Sequence, residues 1–204
     1  MNYEVVETME ISPNFTCEEW KELDLSDSNS NDWEKAISCL ESRIKERYIK
    51  PVDILIEHEE AKKYSERRFG FTILAIDCLL VETLQAFKDG NKETRSKQGK
   101  TVFVKFLNNS KNLGKYFNEE NKFAEKFYKN YRNGILHQAQ IKNNHLVWSI
   151  GKVVFEQSGA MVINRTAFHK CLKDDFELYL QELRNNSNSV IRNNFKKKMD
   201  SLCL

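Results

Sequence analysis

From Trp33 onward apolar residues return every three or four positions. Trp33, Ile37, Leu40, Ile44 and Tyr48 trace the stripe of an amphipathic helix. Asn31 or Asp32, ending the polar stretch LDLSDSNSND (23–32), is placed to cap it, and Pro51 is expected to stop it. A second, longer helical region is expected over 54–87, with a break near Gly70. Its stripe is Phe69, Ile73, Ile76, Leu80, Leu84 and Phe87, which makes it the central core helix. Asp89-Gly90-Asn91 closes it, and RSKQGK (95–100) reads as a loop. Shorter helical pieces are expected at 101–107 and 111–118, then a helix from about Glu119 to Ala139. Past Asn143-Asn144 the period changes: LVWSI, GKVVFE and AMVIN are short, β-branched and separated by turn residues, which predicts a small hairpin or a three-stranded meander. The helical period then returns after Asn164 or Thr166, with Phe168, Leu172, Phe176, Tyr179, Leu180 and Leu183.

The reading is therefore a mainly α chain with a small β insertion, about 146–164, before its last helix. The expected division is an N-terminal extension over 1–30, a helical domain over 31–184 and a polar, basic, loosely ordered tail over 185–204. At 204 residues the chain can bury one full core, and its 7 Gly and 2 Pro are few for a β-sandwich. The longest apolar run, Phe71 to Val81, falls short of the ~20 residues of a bilayer span and contains Asp77, so no membrane partner is expected. The acidic N-terminus MNYEVVETMEIS lacks the basic start and apolar core of a signal peptide. Five scattered cysteines without CxxC spacing argue against a disulfide framework and a zinc site, and point to the cytoplasm.

A net charge of +2 carries no global case for nucleic acid, but its distribution is uneven. Residues 1–32 hold nine Asp/Glu against Lys21, and residues 92–115 hold seven Lys/Arg against Glu93. Arg95, Lys97, Lys100 and Lys105 could follow an RNA backbone, with Tyr128 or Tyr131 for base stacking; ordinary solvated faces are the alternative.

The chemistry concentrates in YKNYRNGILHQAQ, residues 128–140. His137 is the residue type whose pKa of about 6.5 lets it exchange a proton near neutrality. Arg132 is permanently charged and presents a planar fork that matches a phosphate. Asn133, four residues before His137, shares its face and could hold the imidazole. The trio suits work on a phosphodiester. On one straight helix the Arg132 and His137 side chains stand roughly 140° apart, so a two-fold dimer pooling two such helices would make the fuller site, with Gly134 permitting close approach. A lone His near a helix end is more often a capping or packed residue, which is the alternative for His137. Asp77, at the edge of the core stripe, could orient Arg132 or form a structural salt bridge, whereas Glu82 is expected to face solvent. His58, His145 and His169 have no partners at ligand spacing and default to surface or packing roles.

YRNGILH resembles the Arg–polar–x–x–x–His signature of the HEPN superfamily of helical ribonucleases and nucleotide-binding proteins. Paired long helices before the motif and one helix after it also look like that family, over roughly residues 31–184. The resemblance implies a HEPN-like helical bundle and metal-independent RNA cleavage without a cofactor. His137 would help activate the ribose 2′-hydroxyl, leaving a 2′,3′-cyclic phosphate and a 5′-hydroxyl. Arg132 would stabilise charge on the phosphoryl oxygens, and Asn133 would orient. It also implies a homodimer with a composite site and a role as a toxin or antiphage effector, with a cognate antitoxin or regulatory protein as partner. In the branch paired with a nucleotidyltransferase antitoxin the pattern continues to a Tyr two residues past the His; this chain has Ala139 there. The alternative from a different class is a HEPN-like module without turnover, binding RNA, a nucleotide or a protein.

Overall fold

The computed structural model describes residues 9–92, 98–117, 122–185 and 187–204. The chain is mainly helical with a few short strands. Strands β1 (Glu10–Ser12) and β2 (Phe15–Thr16) pair antiparallel and lead into the short helix α1 (Cys17–Lys21). Thr16 starts that helix with a capping box: its hydroxyl accepts from the Glu19 N–H while the Glu19 carboxylate accepts from the Thr16 N–H.

Helix α2 (Asp32–Ile44) carries the expected stripe, with Trp33, Ile37, Leu40 and Ile44 buried. Pro51 does not end the helical run. A π-turn over Lys45–Ile49 leads directly into α3 (Lys50–Glu60), and this wider turn just ahead of Pro51 accommodates a residue that cannot donate to the preceding turn. A 3₁₀ turn at Tyr64–Glu66 then separates α3 from α4 (Gly70–Asp89), which fixes the expected break just before Gly70. Of the described helices, α4 alone is long and apolar enough to cross a membrane, with mean hydropathy 1.5; 56% of that stretch is buried within the protein.

Helix α5 (Gly99–Asn109) follows, then turns rather than a helix over 111–117. The motif helix is continuous but not uniform: α6 (Phe123–Phe127), a π-turn over Tyr128–Arg132, and α7 (Asn133–Gln138). Its expected start near Glu119 lies outside the described residues. Strands β3 (Leu146–Trp148), β4 (Val154–Gln157) and β5 (Ala160–Asn164) form a sheet in the order β3-β5-β4. β4 and β5 make an antiparallel hairpin and β3 pairs parallel to β5, so the arrangement is not a meander. Central β5 buries Met161, Val162 and Ile163 in succession, as a strand covered on both faces does. Helix α8 (Arg165–Arg184) begins directly after β5, its N-terminus capped by Asn164 Oδ1, which accepts from the N–H of Thr166 and Ala167.

Residues 187–204 are not a loose tail. Asn188 caps helix α9 (Ser189–Asp200) by accepting from the Ile191 N–H. Phe195 and Met199 are buried, and Phe195 rings against Trp20, Trp33 and Phe87. The Arg192 guanidinium donates to the carbonyls of Leu183 and Ser28 and lies over the Trp33 ring at 4.5 Å. The polar surface of this segment hides an apolar edge four residues apart, which suffices once a partner face exists.

Contacts divide the chain into two compact units, Met1–Ile49 with Ala86–Thr94 and Glu177–Leu204, and Lys50–Gln85 with Arg95–Phe176. The second unit contains the motif. Its core is an aromatic cluster of Phe103, Phe117, Phe127, Tyr131 and Phe168, with ring centroids 5.2–6.1 Å apart in edge-on and stacked pairs.

Candidate active site

Burial of the aromatic face fixes the motif helix. Phe127 and Tyr131 are sealed, so Tyr131 is not available for base stacking. Its hydroxyl lies 2.5 Å from the Met161 carbonyl and 3.0 Å from that of Leu146, and its ring stacks on His145 at 5.9 Å. Burial pushes the phenol well above its ordinary value. His145 is a packed residue whose Nδ1 accepts from the Met161 N–H, and burial lowers its pKa; both favour the neutral ring.

Because the inner face is anchored this way, Arg132 emerges at the rim, one-fifth exposed. Its partner is Glu82, not Asp77. Nε donates to Glu82 Oε1 at 2.8 Å and Nη2 to Oε2 at 3.3 Å, the paired fork that guanidinium and carboxylate geometries favour. Nη1 donates to Asn133 Oδ1 at 3.2 Å, so Asn133 braces Arg132 rather than His137. Burial works against the Arg132 charge, and the Glu82 carboxylate more than offsets it, leaving the pKa raised. The guanidinium also lies over the Tyr128 ring at 5.4 Å. Of its five N–H donors, three point at Glu82 and Asn133, which leaves two for an incoming oxyanion.

His137 is exposed and makes no hydrogen bond or ion pair among the described residues. The π-turn ends at Arg132 and α-geometry resumes at Asn133, so the two side chains remain roughly 140° apart around the axis. One chain does not bring them together. Gly134 has a local reason: a Cβ there would collide with the carbonyl oxygen of Gln140 in its own chain. That reversal is a helix terminus in which the Gln140 N–H donates to the Gly134 carbonyl, with Ala139 in the left-handed region at φ 50°.

Asp77 is fully buried and pairs with His169, Oδ1 to Nδ1 at 2.7 Å. Burial raises the carboxyl and the His169 contact partly offsets that, with a net upward shift. His169 Nε2 lies 3.4 Å from Asp53 Oδ1, too poorly aligned for a hydrogen bond, and Lys173 Nζ meets both Asp53 oxygens at 2.7 Å. This chain, buried at Asp77 and His169 and part-exposed at Asp53 and Lys173, is a structural network between α3, α4 and α8. It places His169 inside rather than at the surface, and its pairings span 92 and 120 residues, beyond any local pattern.

Of the basic candidates, Arg95 and Lys97 lie outside the described residues. Lys100 pairs with Glu125 at 3.0 Å, and exposed Lys105 lines the same groove along α5. Lys100 follows Gly99, where a Cβ would stand 2.9 Å from the Tyr128 hydroxyl and 4.0 Å from Glu82, so this end of α5 adjoins Arg132. Among the described residues no group of three or more His, Cys, Asp or Glu is placed to hold a metal ion. The chain matches no protein-family model, no curated protein and no solved structure.

Proposed function

We propose that the chain is a HEPN-like, metal-independent endoribonuclease acting as a homodimer in the cytoplasm, possessing one composite site built from two motif helices. The observation that carries this reading is the Arg132–Glu82 fork: a guanidinium oriented at a rim by a carboxylate on the core helix, with two donors left over and an exposed imidazole five residues on. Leu79, one turn before Glu82 on α4, and Leu136, one turn after Arg132 on α7, are each 46% exposed, which supports a second copy seated beside the motif.

In this reading His137 of one protomer takes the 2′-hydroxyl proton, and the oxygen attacks the adjacent phosphorus. The P–O5′ bond breaks, the departing 5′-oxygen takes a proton from solvent as His137 gives its own up to solvent, and the products are a 2′,3′-cyclic phosphate and a 5′-hydroxyl. Arg132 stabilises the charge on the non-bridging oxygens, and Lys100 and Lys105 contact the strand. General-base and electrostatic assistance are each worth ~10²–10⁴-fold. Five free cysteines suit a reducing compartment. A toxin or defence role would follow from the activity, with a regulatory protein as its partner.

Incubation of the purified protein with total RNA in EDTA is expected to give cyclic-phosphate ends, lost in Arg132→Ala and His137→Ala with the helical circular dichroism unchanged. Absence of cleavage by the wild type overturns the reading. The second reading, a module that binds RNA, a nucleotide or a protein without turnover, is favoured by the same fork, since Glu82 and Asn133 already occupy three of the Arg132 donors. It predicts RNA retention without cut ends.

A further inference from the structure

A second concentration of unmet polar demand lies elsewhere in the same unit. Arg165, the first residue of α8, is 1% exposed, and its Nη2 has no hydrogen-bond partner among the described residues. The nearest carboxylate, Glu59, is fully buried at 3.7 Å, beyond hydrogen-bond reach, and Oε1 of Glu59 accepts no hydrogen bond among the described residues, its closest cation being Lys62 Nζ at 3.6 Å. The other Glu59 oxygen is committed to the N–H groups of Arg68 and Phe69, at 2.7 and 2.9 Å, just ahead of α4. Leaving buried charged groups short of partners is costly, so these atoms mark a place where something else belongs.

That place is a cleft of about 470 Å³, lined by Glu59, Arg165, Arg67 and Arg68 together with aromatic Tyr64, Phe71 and Trp148. Its size lies within the usual range for small-molecule sites, ~300–1,000 Å³. Three guanidinium groups against one carboxylate leave its lining cationic. Arg67 is held in place, its Nη1 donating to Ser149 Oγ at 2.7 Å, while its guanidinium lies over the Tyr64 ring at 4.3 Å. Two helices of twenty residues, α4 at Gly70 and α8 at Arg165, begin at the cleft; Gly70 and Phe71 are in its wall, with first-turn N–H groups that have no carbonyl a turn earlier in the helix. Tyr64 and Trp148 are 62% and 36% exposed; Tyr64 carries Arg67 on one side and Trp148 meets Phe155 at 5.5 Å, and the remaining ring surface is open to a planar group.

We propose that this cleft binds a nucleotide, its phosphate held by Arg165, Arg67 and Arg68 at the start of α4 and its base lying against Tyr64 and Trp148. The site is distinct from the motif. Glu82, which holds Arg132, is twelve residues along α4 from Gly70, about 18 Å at 1.5 Å per residue. Occupation would supply Arg165 Nη2 with its missing acceptor. The same chemistry is offered by a free nucleoside monophosphate and by the phosphorylated 5′ end of an RNA strand.

Isothermal titration of the full chain with AMP, adenosine and inorganic phosphate tests the proposal, and a short RNA with a 5′-phosphate or a 5′-hydroxyl distinguishes the two sources. AMP is expected to bind, adenosine not to bind measurably, and phosphate to bind more weakly than AMP. Arg67→Ala and Arg68→Ala, both toward the surface, are expected to weaken AMP about tenfold or more each, as loss of a charge-assisted hydrogen bond does. Arg165→Lys keeps the buried charge but loses the fork and is expected to weaken it as much. Trp148→Ala is expected to weaken AMP while leaving phosphate unchanged. A free-nucleotide site favours AMP over the 5′-phosphorylated strand, and a strand-end site the reverse with discrimination against the 5′-hydroxyl; either supports the proposal. No binding of AMP or of the phosphorylated RNA, or AMP affinity unchanged in the arginine variants with circular dichroism retained, overturns it.

Discussion

Two arginine–glutamate pairs in the motif-bearing unit differ in a way that separates their roles. Arg132 and Glu82 meet at 2.8 Å at the rim, each about one-fifth exposed, in a closed fork that leaves two of the Arg132 donors over. Arg165 and Glu59 are sealed from solvent yet stand 3.7 Å apart, and each keeps a buried atom without a hydrogen bond among the described residues. The exposed pair needs no ligand to be stable, so any activity at Arg132 must come from what a second surface adds to it. The buried pair is stable only because backbone groups and neighbours compensate it, and of its atoms without a hydrogen bond the Arg165 Nη2 donor favours a bound anion.

The largest effect is expected where the compensation is removed. Glu59→Ala strands the Arg165 charge and orphans the N–H groups of Arg68 and Phe69, and should cost about 3–5 kcal/mol in urea unfolding; a loss no larger than a surface substitution would show the pair is not a structural unit. The same carboxylate sets an acid limit. Burial alone would raise its pKa, but the Phe69 and Arg68 N–H groups, with Lys62 and Arg165, hold it below the ordinary value. A lowered folded pKa contributes stability above the unfolded value of about 4.3, and that contribution is lost as pH falls through the folded one. Wild type should therefore lose urea resistance below about pH 4.3 more steeply than Glu59→Gln; parallel profiles would remove Glu59 from the acid response.

Next comes Gly134→Ala, whose methyl collides with the Gln140 carbonyl and should cost about 1–3 kcal/mol, read as a lowered Tm. An unchanged Tm would mean that the reversal after α7 is not held as described. Glu82→Ala should cost only about 0.5–1 kcal/mol, the pair lying at the solvent rim, while RNA cleavage falls sharply because Arg132 loses its orientation. Retained cleavage would make that fork incidental. Smallest is Ala139→Gly, which relieves a left-handed residue and should stabilise by about 0.5–1 kcal/mol in the same unfolding assay, with a neutral or negative result counting against the φ of 50°.

The parts legible in the sequence are those set by period. The stripes of α2, α4 and α8 lie where Trp33, Ile73 and Phe168 begin them, because burying one face requires that spacing whatever lies opposite. What escaped was non-local or locally irregular. Glu82 looked solvent-facing since its distance from the apolar stripe was all that could be read, and the guanidinium that claims it comes fifty residues later. Asp77 was assigned to Arg132 or to some salt bridge, and the imidazole that meets it lies on α8. Pro51 failed as a stop because a π-turn absorbed the mismatch ahead of it. Two signals were readable and missed: the Thr16–Glu19 capping box, and the Asn188 cap with Phe195 and Met199 on one side of α9. The position of Arg132, Asn133 and His137 on a late helix was legible, and their roles relative to one another were not.

Pooling of the two motif helices is tested most directly by complementation. Arg132→Ala and His137→Ala, each inactive on RNA in EDTA, are mixed under conditions that exchange subunits. A mixed dimer holds one intact Arg132 and one intact His137, from different protomers. Cleavage should reappear in the mixture, with 2′,3′-cyclic phosphate ends and a dependence on protein concentration. Mixtures that exchange subunits yet remain as silent as the separate variants would contradict a shared site.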